Sequence, residues 1–224
     1  MPDTAREFID RYGGLLASST LDTIVAVSIT AVLAYLIGTI LAVALRVTAP
    51  GSLRPQAVLN SVMSWIINMG RSVPFVILMV LLIPVSRAVL STTIGLKGSI
   101  VPLTIGAAPF VARLVESSFG EIPPGRVEAA LAFGASTWQV IWHVYLRESL
   151  PSLVRGLAIT MITLVGYQAI MGAFGGGGLG DIAVRYGYHR YKGDVMLVAV
   201  VILVVLVQLI QSTADLIARR IDKR

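Results

Sequence analysis

Residues 121–151 read EIPPGRVEAALAFGASTWQVIWHVYLRESLP, the longest polar interruption in a chain that is otherwise mostly apolar. The spacing predicts two short helices with a bend between them. Pro123 and Pro124 can open the first, because a proline at the first helical position gives up only an N–H that has no helical partner. Val127, Ala130 and Leu131 then fall on one face. Gly134 breaks that helix, and Ser136 can cap the second, with Gln139 three residues on to complete a capping box. Trp138, Ile141, Trp142, Tyr145 and Leu146 follow at i, i+3, i+4 spacing, and Pro151 is expected to end the element and lead into the next apolar run.

The surroundings of this stretch decide where it can lie. The chain has 224 residues, of which 56% are hydrophobic and 13% charged, with a mean hydropathy of +0.83. That balance is far outside the range of a soluble domain and describes an integral membrane protein. A polar helix pair between spans must then sit outside the lipid, held by something protein-like. No stretch is long enough to form a separate soluble domain, so one all-α helical bundle is expected. The absence of cysteine excludes disulfides and thiol chemistry. The formal charge of +6 comes from basic residues scattered over loops and ends, which argues against nucleic acid.

Five spans are predicted in a permease domain at 20–218, at about 20–45, 58–84, 99–119, 152–172 and 195–218. An N-terminal segment, 1–19, lacks the basic flank and cleavage site of a signal peptide, so the first span is expected to be retained. Gly38 and Ala42 give that span a small-xxx-small face. The second is read as one helix kinked near Pro74, with an interfacial tail to Lys97. Arg71 is the only charge in its apolar part; it either lines a pathway or subunit contact, or snorkels to an interface. Arg113 and Glu116 can neutralise each other at i, i+3 near the membrane edge. Met161, Tyr167, Ile170, Met171 and Phe174, in or beside the fourth span, join Arg71 as pathway or gate candidates, against the plainer reading that such residues are core.

Other motifs have less weight. Gly175 to Gly180, GGGGLG, satisfies G-x-G-x-x-G, but no strand precedes it and no βαβ unit surrounds it. Gly178-Leu179-Gly180-Asp181 also matches the G-x-G-D of intramembrane aspartyl proteases, yet Asp22 and Asp215 lie at span ends and supply no second carboxylate. A glycine-rich bend returning the chain at the far membrane face is the simpler reading. Residues 181–194, polar and tyrosine-rich, suit either docking of a soluble partner or an interfacial tyrosine belt. His143 and His189 fall on opposite sides of the membrane in this topology, so no metal site is expected. No G-x-x-x-x-G-K-[ST] occurs anywhere, so the chain cannot cradle ATP phosphates itself.

Glu128-Ala129-Ala130, Gly134 and Val144-Tyr145-Leu146 together resemble the EAA loop of ABC-importer permeases, although the family pattern closes with Leu-Pro and here Arg147 follows Leu146. Leu150-Pro151 offers a stop one turn later. Arg71-Ser72-Val73-Pro74-Phe75, residues 100–110 (IVPLTIGAAPF), residues 162–167 (ITLVGY) and Gly177 to Gly180 are similar to the methionine-uptake ABC permease family, over nearly the whole chain. The resemblance implies a type I importer permease fold and a homodimer embedded in lipid in the bacterial inner membrane. Two ATPase subunits would bind ATP and Mg, leaving no cofactor in this chain. A methionine-binding lipoprotein would serve the outer side. It also implies a coupling role for Glu128, Ala129, Ala130, Gly134 and Leu146 in a cytoplasmic loop at 121–151. The N-terminus would then be extracytoplasmic and the tail at 219–224 cytoplasmic. Arg219, Arg220, Lys223 and Arg224 favour that orientation, while Arg185, Arg190 and Lys192 oppose it. The cargo would be L-methionine, with D-methionine or related derivatives as further candidates, moved by alternating access. Import of another amino acid, and a passive channel or exchanger, stay open as alternatives.

Overall fold

A computed structural model describes residues 2–221, with side chains from Arg6 onward. Its helices are α1 (Pro2–Thr48), α2 (Ala57–Ser72), α3 (Phe75–Leu81), α4 (Ile83–Leu90), α5 (Gly95–Gly120), α6 (Pro124–Ala132), α7 (Thr137–Gln139), α8 (Leu150–Ala173), α9 (Gly178–Ile182) and α10 (Gly193–Ile221). Two π-helical stretches, Val140–Leu146 and Ala183–Tyr188, follow α7 and α9. Among the described residues four helices are long and apolar enough to cross a membrane, and α2 with α3 adds a fifth if that bent pair is one span.

Several boundaries differ from the sequence-based expectation, for local reasons. Residues 2–19 are helical and continuous with the first span. The second span is broken rather than kinked: Val73 is extended (φ −77, ψ 123), because a residue before proline is pushed out of the helical region. Pro74 then stands at the N-cap of α3. The expected interfacial tail after Pro84 contains a helix, α4, closed by Ser91 in the left-handed region (φ 57). Pro151 stops nothing, since it falls in the first turn of α8, where its missing N–H costs little. Arg219 and Arg220 are the last turn of α10 and not a separate tail; Lys223 and Arg224 lie outside the described residues.

The chain divides into two units. One comprises Met1–Val32, Pro74–Ile105 and Met161–Ile210. Its core joins Tyr12 and Leu16 of α1 to Leu179 and Ile182 of α9 and to Val195 and Ala199 of α10. The glycine-rich bend holds α9 against α8 and α1. Gly175, Gly177 and Gly178 have φ of 81°, 73° and 76°, a region that glycine enters without strain. Gln168, 1% exposed, donates from Nε2 to the carbonyl of Gly176 at 3.1 Å. The Leu179 N–H donates to Thr23 Oγ1 at 2.9 Å. Thr23→Val would strand that buried donor, so we expect a loss of about 1–3 kcal/mol, read as a lower thermal midpoint in detergent.

The second unit comprises Leu33–Val73, Gly106–Thr160 and Gln211–Arg224. Leu45, Ile67 and Ala112 are its buried centre, with Leu41 and Met63 packed against them. Gly38 lets α1 approach α5 closely, since a Cβ there would stand 2.6 Å from Val111 Cγ1. Tyr35 OH donates to the Leu153 carbonyl at 2.9 Å and ties α1 to α8. Asn60 Nδ2 donates to the Leu45 carbonyl at 2.7 Å, satisfying one of the carbonyls that the end of α1 leaves free.

Candidate coupling surface and solute groove

The polar element is two helical pieces hinged at Gly134. Pro123 is the N-cap of α6 and Pro124 its first residue. The other end closes by two backbone bonds: Gly134 N–H to the Leu131 carbonyl at 2.9 Å and Ala135 N–H to the Ala130 carbonyl at 3.0 Å. This paired arrangement requires a left-handed residue, and Gly134 supplies it at φ 81. Two residues later Ser136 caps α7 reciprocally. Gln139 N–H reaches Ser136 Oγ at 3.3 Å, and Ser136 N–H reaches Gln139 Oε1 at 2.7 Å. The bend is therefore fixed by its own local hydrogen bonds, backbone at Gly134 and side chain at Ser136 and Gln139.

The base of the element is anchored where Tyr145, 3% exposed, packs on Phe119 with ring centroids 5.4 Å apart. The Arg46 guanidinium lies 5.4 Å from the centroid of the Tyr145 ring. Ser149 Oγ donates to the Ser118 carbonyl at 3.2 Å, and Ser152 Oγ donates to Glu121 Oε1 at 3.0 Å. Arg126 forms an ion pair with Glu148 across the two arms. Helix α6, by contrast, has no buried residue at all. Phe133 is 93% exposed and Leu131 45%.

The aromatic stripe expected on the second arm splits in two. Ile141 and Tyr145 are buried together with Val140, whereas Trp138 and Trp142 are 65% and 50% exposed. The two indoles meet edge to face at 5.7 Å. Residues Val140–Leu146 wind as a π-helix, so the helical i, i+4 register does not hold through this segment.

Glu128 and Ala129 are exposed; Ala130 and Leu146 are half-buried. Ala130 and Gly134 share a cleft of about 390 Å³ with Phe133, Gln139, His143 and Val144. Neither Glu128 nor Leu146 lines it. Sequence reasoning missed Phe133, whose only signal is a large apolar residue directly before a helix-ending glycine.

The pathway candidates are dispersed. Tyr167 stacks on Phe75 with centroids 4.1 Å apart and rings nearly parallel. Met171 is 4% exposed and sits under Gly176, so it packs the bend. Met161 is half-buried; Ile170 and Phe174 are 36% and 55% exposed. Arg71 lies in the other unit, in a cavity of about 360 Å³ lined also by Arg113, Arg155, Ser117 and Glu121. Asp181, the tempting protease carboxylate, is engaged by Arg185.

Residues 34–224 match the family described as the binding-protein-dependent transport system inner membrane component. The chain belongs to this family. The permease is 48% identical to a probable D-methionine transport system permease protein of Vibrio cholerae, over 99% of each chain. It is 42% identical to the methionine import system permease protein of Bacillus subtilis, over 80% of this chain and 81% of that one. A solved structure of the MetNI methionine ABC transporter in an inward-facing conformation matches with a TM-score of 0.93 and 45% identity, covering 95% of the permease and 99% of that chain. The permease thus has the fold of that transporter's membrane subunit and is itself a multi-pass transport subunit of the inner membrane.

Proposed function

We propose that the chain is the permease of an ATP-driven importer that carries methionine into the cytoplasm. The observation that carries the reading is the 48% identity over 99% of both chains with a relative named for D-methionine transport. In this reading two copies form the pathway, and two ATPase subunits bind ATP and Mg below them. A binding protein delivers methionine from outside. The element from Glu121 to Pro151 is cytoplasmic, which sets the N-terminus outside and the C-terminus inside for five spans. Glu128, Ala129, Ala130, Gly134 and Leu146 belong to the coupling surface, with Phe133 added from the structure. Arg71, Met161, Tyr167, Ile170, Met171 and Phe174 are the pathway or gate candidates, Met171 as a buried one under the glycine bend.

The support from the site is physical. An apolar helix end that buries nothing of its own, on a base tied down by Tyr145, has the form of a surface completed by another chain. ATP binding would close the ATPase dimer, carry the two elements with it and rock the spans between inward and outward openings. A loaded binding protein that favours the outward state would favour closure of the ATPases by the same coupling energy.

The test is uptake of labelled L- and D-methionine by cells whose only methionine importer is this one, with and without ATP depletion. ATP-dependent accumulation is expected; accumulation of a different amino acid alone would move the cargo assignment, and ATP-independent equilibration would favour a channel. Phe133→Ser sharpens the coupling claim. Its fold stability should stay within about 0.5 kcal/mol, because the ring is almost wholly exposed. ATPase retained on the purified permease should fall roughly tenfold or more, as for a central interface anchor. Full retention would remove Phe133 from the contact.

A further inference from the structure

The cavity holding Arg71 is a groove with a direction. Its lining positions on α5 are 110, 113, 114, 117 and 118, and on α8 they are 152, 155, 156 and 159, each set recurring along one helix face, with Glu121 just past the end of α5. Glu121 and Ser152 adjoin the polar element and mark the mouth. Phe110 lies ten residues before the end of α5 at Gly120, roughly 15 Å deep at 1.5 Å per residue. That is about half of a hydrocarbon core of about 30 Å. Arg71 is at the same depth, because a Cβ on Gly70 would stand 2.9 Å from Pro109 Cγ.

Charge distinguishes Arg71 from its neighbours. Arg113 is paired with Glu116 at 2.7 Å and donates to the Ser64 carbonyl at 3.1 Å. The Arg71 side chain has no hydrogen bond or ion pair among the described residues. A guanidinium held at mid-membrane depth faces water or an anion. A lipid phosphate stays at the membrane edge, too far out to reach it; a small solute entering by the groove is not so limited.

We propose that this groove is the cytoplasmic half of the solute path and that Arg71 receives the α-carboxylate of the transported amino acid. The inference rests on the importer reading and adds a rule of selectivity. Solutes with a free α-carboxylate gain a charge-assisted, bidentate contact on Arg71, and carboxyl-blocked analogues do not.

The chain contains no cysteine, so Ser117→Cys places a single thiol on the exposed wall of the groove. The assembled, nucleotide-free transporter in inside-out vesicles is treated with a membrane-impermeant maleimide. Val201→Cys, on the exposed apolar face of α10, serves as the reference. Ser117→Cys is expected to label roughly tenfold faster or more, as a thiol in water rather than lipid. L-Methionine should slow it, and methioninol, whose carboxylate is reduced to an alcohol, should not. Adding Arg71→Gln should raise the half-protecting methionine concentration roughly tenfold or more, and Arg71→Lys should raise it less.

Labelling at the Val201→Cys rate overturns the aqueous groove. Equal protection by methionine and methioninol overturns the carboxylate contact, and that comparison stands even if Arg71→Gln fails to assemble. Unchanged protection in an assembled Arg71→Gln transporter removes Arg71. Uptake separates the two readings: if methionine is not imported but another α-amino acid protects and its amino alcohol does not, the groove stands and the methionine assignment falls.

Discussion

Replacing Gly134 with tryptophan is expected to abolish ATP-driven uptake while the subunit remains in the membrane. The backbone cost is modest. At φ 81 a residue with a Cβ is strained, by about 1–2 kcal/mol. No heavy atom lies within 4 Å of the position a Cβ would take, so the chain itself does not object to the side chain. Against the stability of an ordinary domain, about 5–15 kcal/mol, that strain leaves the subunit folded. The indole would instead fill the cleft bounded by Ala130, Phe133 and Val144. Gly134→Ala isolates the cause, for it has the same φ penalty without the bulk. We expect it to keep most of its uptake, measured with labelled methionine and normalised to the amount of subunit in the membrane. Equal loss in both variants would show that the hinge conformation, and not room in the cleft, is what coupling requires.

Gly172→Val is expected to damage the fold severely. A Cβ at this position would fall under 3.0 Å from backbone atoms of Asp181 and Gly180, which cannot move aside as a flexible side chain would. The helix α8 and the start of α9 touch through main chain at this point. Separating them disturbs the bend that Gln168 holds and the Leu179 to Thr23 bond beyond it. The loss should be about 3 kcal/mol or more, seen as aggregation of the detergent-solubilised subunit on mild heating. Gly166→Ala, six residues earlier on the same helix, is the control: nothing lies within 4 Å of its Cβ. It should change the midpoint little, or raise it slightly through a stiffer helix.

The features that could be read from sequence are those whose chemistry is local. Pro123, Pro124, Gly134 and the Ser136–Gln139 pair each dictate a backbone event within a few residues, and each event occurs where the pattern sets it. The long apolar helices follow from composition alone. What escaped depends on the third dimension or on an unusual helix. The position of Pro74 predicts a bent span, but its effect on Val73 breaks it. Trp138 and Trp142 have the spacing of a buried stripe, yet both are exposed, Trp138 in α7 and Trp142 in the π-helical segment that follows it. Met171 has the composition of a pathway residue, and the glycine bend buries it. The groove was illegible because Arg71, Arg113 and Arg155 are far apart in the chain and meet only when α2, α5 and α8 pack.

The π-helical stretch Val140–Leu146 has one consequence of its own. Each of its hydrogen-bonded rings spans one residue more than an α-helical ring, so the segment stores surplus chain without lengthening its axis in proportion. A one-residue deletion there can be absorbed by reverting to the ordinary helical pitch, leaving the faces of α8 pointing as before. The same deletion inside α6 would swing every later residue of that helix to a new side. Val140–Leu146 is therefore the part of the polar element where the chain can best tolerate a change in length.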